Sequence, residues 1–359
     1  MSKSIFILIG TRPNFIKITR FKELASNAGK EVTIIHTGQH FDHNMANVFF
    51  EQFELEPDYF LEVGGLSPAS QIGHIIIKLE ELFDKIGKPD YLVVPGDVNS
   101  TFAGAIAANK TGVTLVHLES GLRSRDKKMP EEHNRILTDY MADICFVTES
   151  SGIKNLKAEE ANSEIHLVGN TMIDTLIHFE PKIDQSRILE DLRIKEKQYI
   201  LATFHRPSNV DRVQKLQQLV NIIIGIAEYQ TLVIPMHPRT MKMLTKYDLM
   251  KKLKHSNNVI ITEPLGYFEF QKLIKHSTAV ITDSGGIQEE TTFRQVPCLT
   301  IRENTERPIT ITEGSNTLVQ FNMTDINFYL TQIIKGTYKK GSIPVFWDGK
   351  ATKRILEIL

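Results

Sequence analysis

Cysteine is scarce in this chain, with two in 359 residues, and tryptophan occurs once. Two thiols cannot build a disulfide scaffold, and both Cys145 and Cys298 stand in apolar runs, where a thiol serves as a small hydrophobe. A reducing, cytoplasmic compartment is expected. An excess of either charge is also lacking: 42 Lys plus Arg against 43 Asp plus Glu leave a formal net charge of -1. There is thus no broad basic field for nucleic acid or anionic lipid. The most apolar stretch, residues 219–227, falls short of the roughly 18 residues that a membrane helix needs. Near the N-terminus a brief apolar run ends at Gly10, Thr11, Arg12 and Pro13 without a small-residue cleavage site, so it reads as a first strand and not as a signal peptide. The sequence has no GxGxxG, no Walker lysine motif and no Cys/His metal spacing, which argues against a dinucleotide cofactor, ATP hydrolysis and structural zinc.

What remains is an ordinary globular composition, 41% apolar and 24% charged, in a chain longer than one hydrophobic core supports. Two domains are expected. Short Ile- and Val-rich runs recur at 4–9, 32–36, 91–94, 115–118, 144–147 and 165–168, and again at 199–203, 231–235, 259–262, 279–282 and 298–301. Helical spacing fills the intervals, as at 213–227 and 268–275. Alternating strands and helices predict the α/β class with parallel sheets. The strand runs stop between 173 and 197, where a charged stretch from Lys182 to Lys197 looks like a solvated connector. The expected domains are 1–172 and 173–347, with a terminal helix in 348–359 returning to the first.

In open α/β sheets ligands sit beyond the carboxyl ends of strands. Run 279–282 ends in Asp283-Ser284-Gly285-Gly286, with a helix starting at once. Glycines admit a phosphate to the backbone there and a helix N-terminus supplies N–H groups, although for the glycine pair alone a plain turn capped by Asp283 or Ser284 is the stronger reading. Glu290, one turn on, is placed for ribose hydroxyls or for solvent. Arg302 and Arg307 follow the next strand, and His205-Arg206-Pro207 and His237-Pro238-Arg239 follow two more, so basic groups gather at one sheet edge. The first half ends its strands in acids instead: Asp97, Glu119 and the pair Glu131-Glu132. Carboxylates so placed suit proton transfer, while each taken singly is equally a turn or first-turn helix acid. Arg12 and Lys17 bring positive charge to the same edge.

Taken together, GTRPNFIK at Gly10, GDVNST at Gly96, HLESGLRS at His117, PEEHNR at Pro130, GNTMID at Gly169, FHRP at Phe204, DSGGIQEE at Asp283 and RENTERP at Arg302 resemble the non-hydrolysing UDP-N-acetylglucosamine 2-epimerases. The likeness runs in order through nearly the whole chain. It implies the glycosyltransferase B architecture, two Rossmann-like domains facing a central cleft, and interconversion of UDP-GlcNAc and UDP-ManNAc without a cofactor or metal. The route would be anti elimination of UDP to a 2-acetamidoglucal, followed by re-addition. By motif match Asp97, Glu119, Glu131 and His205 take the catalytic positions. Arg12, Lys17, Arg135, Ser284, Gly285, Gly286 and Glu290 take substrate-binding positions, and His237 and Arg307 join them from the reading of the sheet edge. A homodimer supplying a surface polysaccharide precursor is implied as well. Residues 38–45 after the shared Gln39-His40, the short segment 123–130 and His205-Arg206-Pro207-Ser208-Asn209 depart from simpler bacterial members. They resemble relatives acting on modified sugars such as UDP-2,3-diacetamido-2,3-dideoxyglucuronic acid. A hydrolysing variant, a glycosyltransferase of the same architecture and a non-catalytic sensor are the rival readings.

Overall fold

A computed structural model describes residues 3–39 and 50–359. Most of the segment 38–45, singled out above as a departure, lies outside the described residues. The contacts divide the chain into two compact units, Met1–His178 with Val345–Leu359, and Phe179–Pro344. Unit 1 carries β1 (Ser4–Ile9), β2 (Glu31–His36), β3 (Tyr59–Phe60), β4 (Tyr91–Pro95), β5 (Thr114–Leu118), β6 (Ile144–Val147) and β7 (Glu164–Leu167). Unit 2 carries β8 (Tyr199–Thr203), β9 (Thr231–Pro235), β10 (Val259–Thr262), β11 (Ala279–Thr282), β12 (Cys298–Ile301) and β13 (Asn316–Val319). The sheet orders are β3-β2-β1-β4-β5-β6-β7 and β10-β9-β8-β11-β12-β13. All pairings are parallel. Each order reverses at its first strand, the doubly wound arrangement in which ligands collect beyond the strand ends at the switch point.

The continuous apolar runs have a direct cause in unit 2. Ile200, Ala202, Leu232, Ile234 and Ile281 enter one core cluster, while their neighbours Tyr199, Leu201, Val233 and Val280 enter another. Alternate residues of a strand point to opposite faces, and both faces are covered, so every position must be apolar. Two strands escaped the sequence reading. β3 is two residues long, and β13 is a polar edge strand whose Asn316 bonds Gln288 at 3.0 Å and Thr300 at 2.7 Å.

The boundary expected after residue 172 falls inside the helix Thr171–His178, which belongs to unit 1. Met172, Ile173 and Leu176 are buried there, and Thr175 meets Thr19 at 2.6 Å between their hydroxyl oxygens. The charged stretch after it is helical with mostly exposed charges, as expected, but it belongs to unit 2 and does not merely join the units. It forms the short helices Glu180–Gln185 and Ile188–Asp191 within unit 2, burying Ile183 and Ile188 and pairing Glu180 with Lys275 at 2.7 Å and Arg294 at 2.9 Å. Apolar residues spaced among the charges decide the outcome.

Buried hydrogen bonds hold the C-terminal segment in unit 1. Trp347 Nε1 donates to the Thr148 carbonyl at 3.1 Å, and the Asp174 carboxylate accepts from the Ala351 and Thr352 N–H groups at 3.1 and 2.6 Å, capping the helix Ala351–Ile358. No described helix is long and apolar enough to cross a membrane. Asp174→Ala leaves those two N–H groups buried without an acceptor, so unit 1 should lose about 1–3 kcal/mol. Urea unfolding followed by the fluorescence of Trp347, the single tryptophan, measures it; an unchanged midpoint would contradict the capping role.

Candidate active site

Unit 1 gathers its polar residues beyond β1, β4 and β5. The turn after β1 is built by Asn14, whose Oδ1 accepts from the Gly10 and Thr11 N–H groups at 3.2 Å each while its Nδ2 donates to the Pro95 carbonyl at 3.1 Å. Gly10 has no alternative, because a β-carbon there would fall 2.0 Å from Ser100 Oγ. Helix Arg12–Ile18 follows, with Arg12 exposed in its first turn and Lys17 buried in its last. The Lys17 ammonium pairs directly with the Glu119 carboxylate, and both side chains are less than a tenth exposed. Glu119 ends β5 in a left-handed backbone, φ 67°. After β4, Gly96 adopts φ 72° and brings Asp97 to the same strand edge; the space over Gly96 is closed by Lys17 Nζ and Glu119 Oε2.

Helix Pro130–Met141 supplies the partner of Asp97. Arg135, 3% exposed, bonds Asp97 through Nη2 and Glu132 through Nη1. Glu132 is the buried one of the glutamate pair, accepting from the Ser124 and Arg125 N–H groups at 2.9 and 2.7 Å. Burial alone would raise its pKa; those two N–H groups, the Ser124 hydroxyl and Arg135 together bring it below the usual carboxylate range. Glu131 is exposed on the first turn of this helix. Lys17 with Glu119, and Arg135 with Asp97, are therefore brought together, while Glu131 stays outside that bonded set.

Unit 2 gathers a second group beyond β8, β9, β11 and β12. Neither Asp283 nor Ser284 caps the helix Gly286–Arg294, whose N-cap is Gly285. Asp283 turns instead to the loop after β8. Its carboxylate accepts from the His205 and Arg206 N–H groups at 3.1 and 3.0 Å and from Asn209 at 3.0 Å, and pairs with His205 Nδ1 at 3.0 Å. Ser284, Gly285 and Gly286 are left at the helix start, where N–H groups and the helix dipole favour an anion. Arg307 reaches this place: a β-carbon on Gly285 would meet its Nη1 at 2.9 Å. Arg307 is fixed by Glu306 and Glu289, each at 2.7 Å, and Glu306 by Arg302 at 2.9 Å. His237 lies with its ring 5.3 Å from that of His205, and Glu290 is buried on the helix.

Three supporting residues had no place in the sequence reading: His117, Asp139 and Glu306. His117 could have been found, because a histidine inside the run Leu115-Val116-His117-Leu118 interrupts a strand covered on both faces. Asp139 and Glu306 carried no such signal, since an acid on a helix or in a loop is ordinary.

The family model described as UDP-N-acetylglucosamine 2-epimerase matches residues 22–359. UDP-N-acetylglucosamine 2-epimerase of Methanococcus maripaludis is 39% identical over 364 residues, covering 99% of this chain and 98% of the relative. UDP-2,3-diacetamido-2,3-dideoxy-D-glucuronate 2-epimerase of Pseudomonas aeruginosa is 36% identical over 361 residues, covering 99% of each. A crystal structure of the Methanocaldococcus jannaschii UDP-GlcNAc 2-epimerase in complex with UDP-GlcNAc and UDP superposes with a TM-score of 0.90 at 36% identity, again over 99% of each chain.

The Asp283 site makes a pH prediction. Burial would raise the Asp283 pKa, but His205, the Arg206 N–H and Asn209 outweigh it and hold the carboxyl below its ordinary value. A carboxylate lowered in this way stabilises the fold above its unfolded pKa, about 3.9, and that contribution disappears as pH falls through the folded value. In urea titrations Asp283→Asn should therefore cost unit 2 more at pH 6 than at pH 3. Equal losses at both pH values would contradict the ionised, multiply bonded carboxylate.

Proposed function

The chain belongs to the UDP-N-acetylglucosamine 2-epimerase family and is an isomerase, and from that premise we propose that it interconverts UDP-N-acetylglucosamine and UDP-N-acetylmannosamine without hydrolysis. The observation that carries this reading is the pair of strand-end carboxylates in unit 1, Glu119 and Asp97, each held by a buried cation. The C2 proton of the sugar is barely acidic. It departs only if a base takes it while the C1–O bond to UDP breaks and the electron pair of C2–H becomes the C1=C2 bond of a 2-acetamidoglucal. Re-addition of UDP at C1 and of a proton at the opposite face of C2 gives the epimer. Nothing is oxidised overall.

The two tasks fall to different residues. Asp97, Glu119 and Glu131 serve as the acid and base groups, with Arg135 orienting Asp97 and Lys17 orienting Glu119. The diphosphate is taken by Ser284, Gly285 and Gly286 at the helix start and by Arg307. Glu290 receives the ribose, and His205, His237 and Arg12 complete the contacts, His205 acting on the departing UDP. Family resemblance leads us to propose a cytoplasmic homodimer supplying a polysaccharide precursor, and the two buried, unpaired thiols support the reducing compartment. A second substrate is favoured by one finding, the 36% identity to the diacetamido-uronate epimerase.

Incubation with UDP-N-acetylglucosamine in deuterated water should place deuterium at C2 and produce the manno epimer, and Asp97→Asn should slow both by about 10²–10⁴-fold. Exchange with the diacetamido-uronate alone would reassign the substrate. Free N-acetylmannosamine with UDP would make the enzyme a hydrolase, and absence of exchange with either sugar would defeat the proposal.

A further inference from the structure

We infer that Asp139 is a positioning residue that clamps the backbone on both sides of Glu119 and, through His117, the peptide leading to Asp97. The inference rests on the reaction proposed above, in which those two carboxylates meet the sugar. Asp139 lies on the helix Pro130–Met141 and is 2% exposed. One of its oxygens stands 2.6 Å from His117 Nδ1; the other accepts from the Gly121 N–H at 3.0 Å and from Arg123 Nη1 at 2.6 Å. His117 and Gly121 are the residues two before and two after Glu119. Between them Glu119 holds φ 67°, which a residue with a β-carbon adopts at a cost and keeps only where its surroundings fix it from both sides.

The clamp extends to the neighbouring strand. His117 Nε2 lies 2.7 Å from the Gly96 carbonyl, and Gly96, at φ 72°, is joined to Asp97. A carbonyl and an ionised carboxylate only accept hydrogen bonds, so the His117 ring donates through both nitrogens. Burial would raise the Asp139 pKa, but His117 and then Arg123 hold it below the ordinary value, and Arg123 is itself held by Glu159 at 2.9 Å. Two further bonds join this group: Gly96 N–H donates to the Leu118 carbonyl at 3.0 Å, and Asn134 donates to the Asp97 carbonyl at 2.9 Å. One buried carboxylate thereby sets the direction of two others that it does not touch.

The test uses the full chain. In Asp139→Ala, deuterium exchange at C2 should lose about 100-fold in kcat, the cost of misplacing a reacting group by around 1 Å. The dissociation constant for UDP, whose proposed ligands lie in unit 2, should stay within about threefold. Asp139→Asn keeps an acceptor for Gly121 and Arg123 and offers His117 Nδ1 an N–H, which a neutral imidazole accepts, so it should recover most of the rate. A crystal structure of the alanine variant should show Glu119 outside the left-handed region. A merely structural Asp139 would lower Tm and leave kcat of the folded enzyme unchanged, which overturns the inference, as would equal loss in both variants. Should Asp139→Ala fail to fold, His117→Ala, which frees one flank of Glu119 and the Gly96 carbonyl, is judged by the same kcat and UDP criteria. Absence of exchange in the wild-type enzyme would instead defeat the reaction itself, and the Glu119 backbone in the variant would still report on the clamp.

Discussion

A carboxylate removed from water must be given several donors, and Asp139 in unit 1 and Asp283 in unit 2 both receive them. Each lies within a few per cent of complete burial and bonds a histidine together with backbone N–H groups. The donors are not scattered. Around Asp139 they are His117 near the end of β5 with Gly121 and Arg123 just after it, and around Asp283 they are His205, Arg206 and Asn209 after β8, so satisfying one buried charge fixes a loop that local sequence would leave free. Around Asp139 the result is the fixed course of Gly96 to Asp97 and of Glu119 to Arg123. Around Asp283 it is the course of His205 to Asn209, and a helix start at Gly285 that the Asp283 side chain does not cap.

Electrostatics then separates the two units by task. In unit 1 cations serve carboxylates: Lys17 holds Glu119 and Arg135 holds Asp97. In unit 2 carboxylates serve a cation, since Glu306 and Glu289 both hold Arg307 beside Gly285, with Arg302 behind Glu306. An elimination that pulls a proton from carbon while a diphosphate leaves needs both kinds of site, negative groups for the proton and positive groups for the departing charge. An oriented guanidinium in place before the charge develops costs no reorganisation when it does, which is the advantage of building Arg307 into an ion-pair chain.

Much of this was legible in the residues. Strands covered on both faces must be apolar throughout, so eleven of the thirteen strands among the described residues could be read from Ile- and Val-rich runs. Gly10 closed the first of those runs, and a β-carbon there would fall 2.0 Å from Ser100 Oγ. Strand ends then pointed to Asp97, Glu119, His205 and Asp283. The rest was hidden for physical reasons. A two-residue strand such as β3 has no period, and Asn316 gives β13 a polar face because it bonds inward to Gln288. Whether Asp283 caps its own helix or reaches the next loop depends on tertiary partners at 3.0 Å, not on its neighbours in sequence. The same holds for Glu131 and Glu132, adjacent acids of which the fold buries only the second.

The central claim is that the C1–O bond to the diphosphate breaks and reforms while UDP stays bound. UDP-N-acetylglucosamine carrying ¹⁸O in the bridge between C1 and the β-phosphorus tests it most directly. Cleavage frees the β-phosphate to rotate, so the enzyme should scramble the label into the non-bridging β-positions of recovered substrate, in step with epimerisation. Epimerised sugar with the label still wholly in the bridge would mean that C2 is inverted without breaking that bond, and would contradict the account.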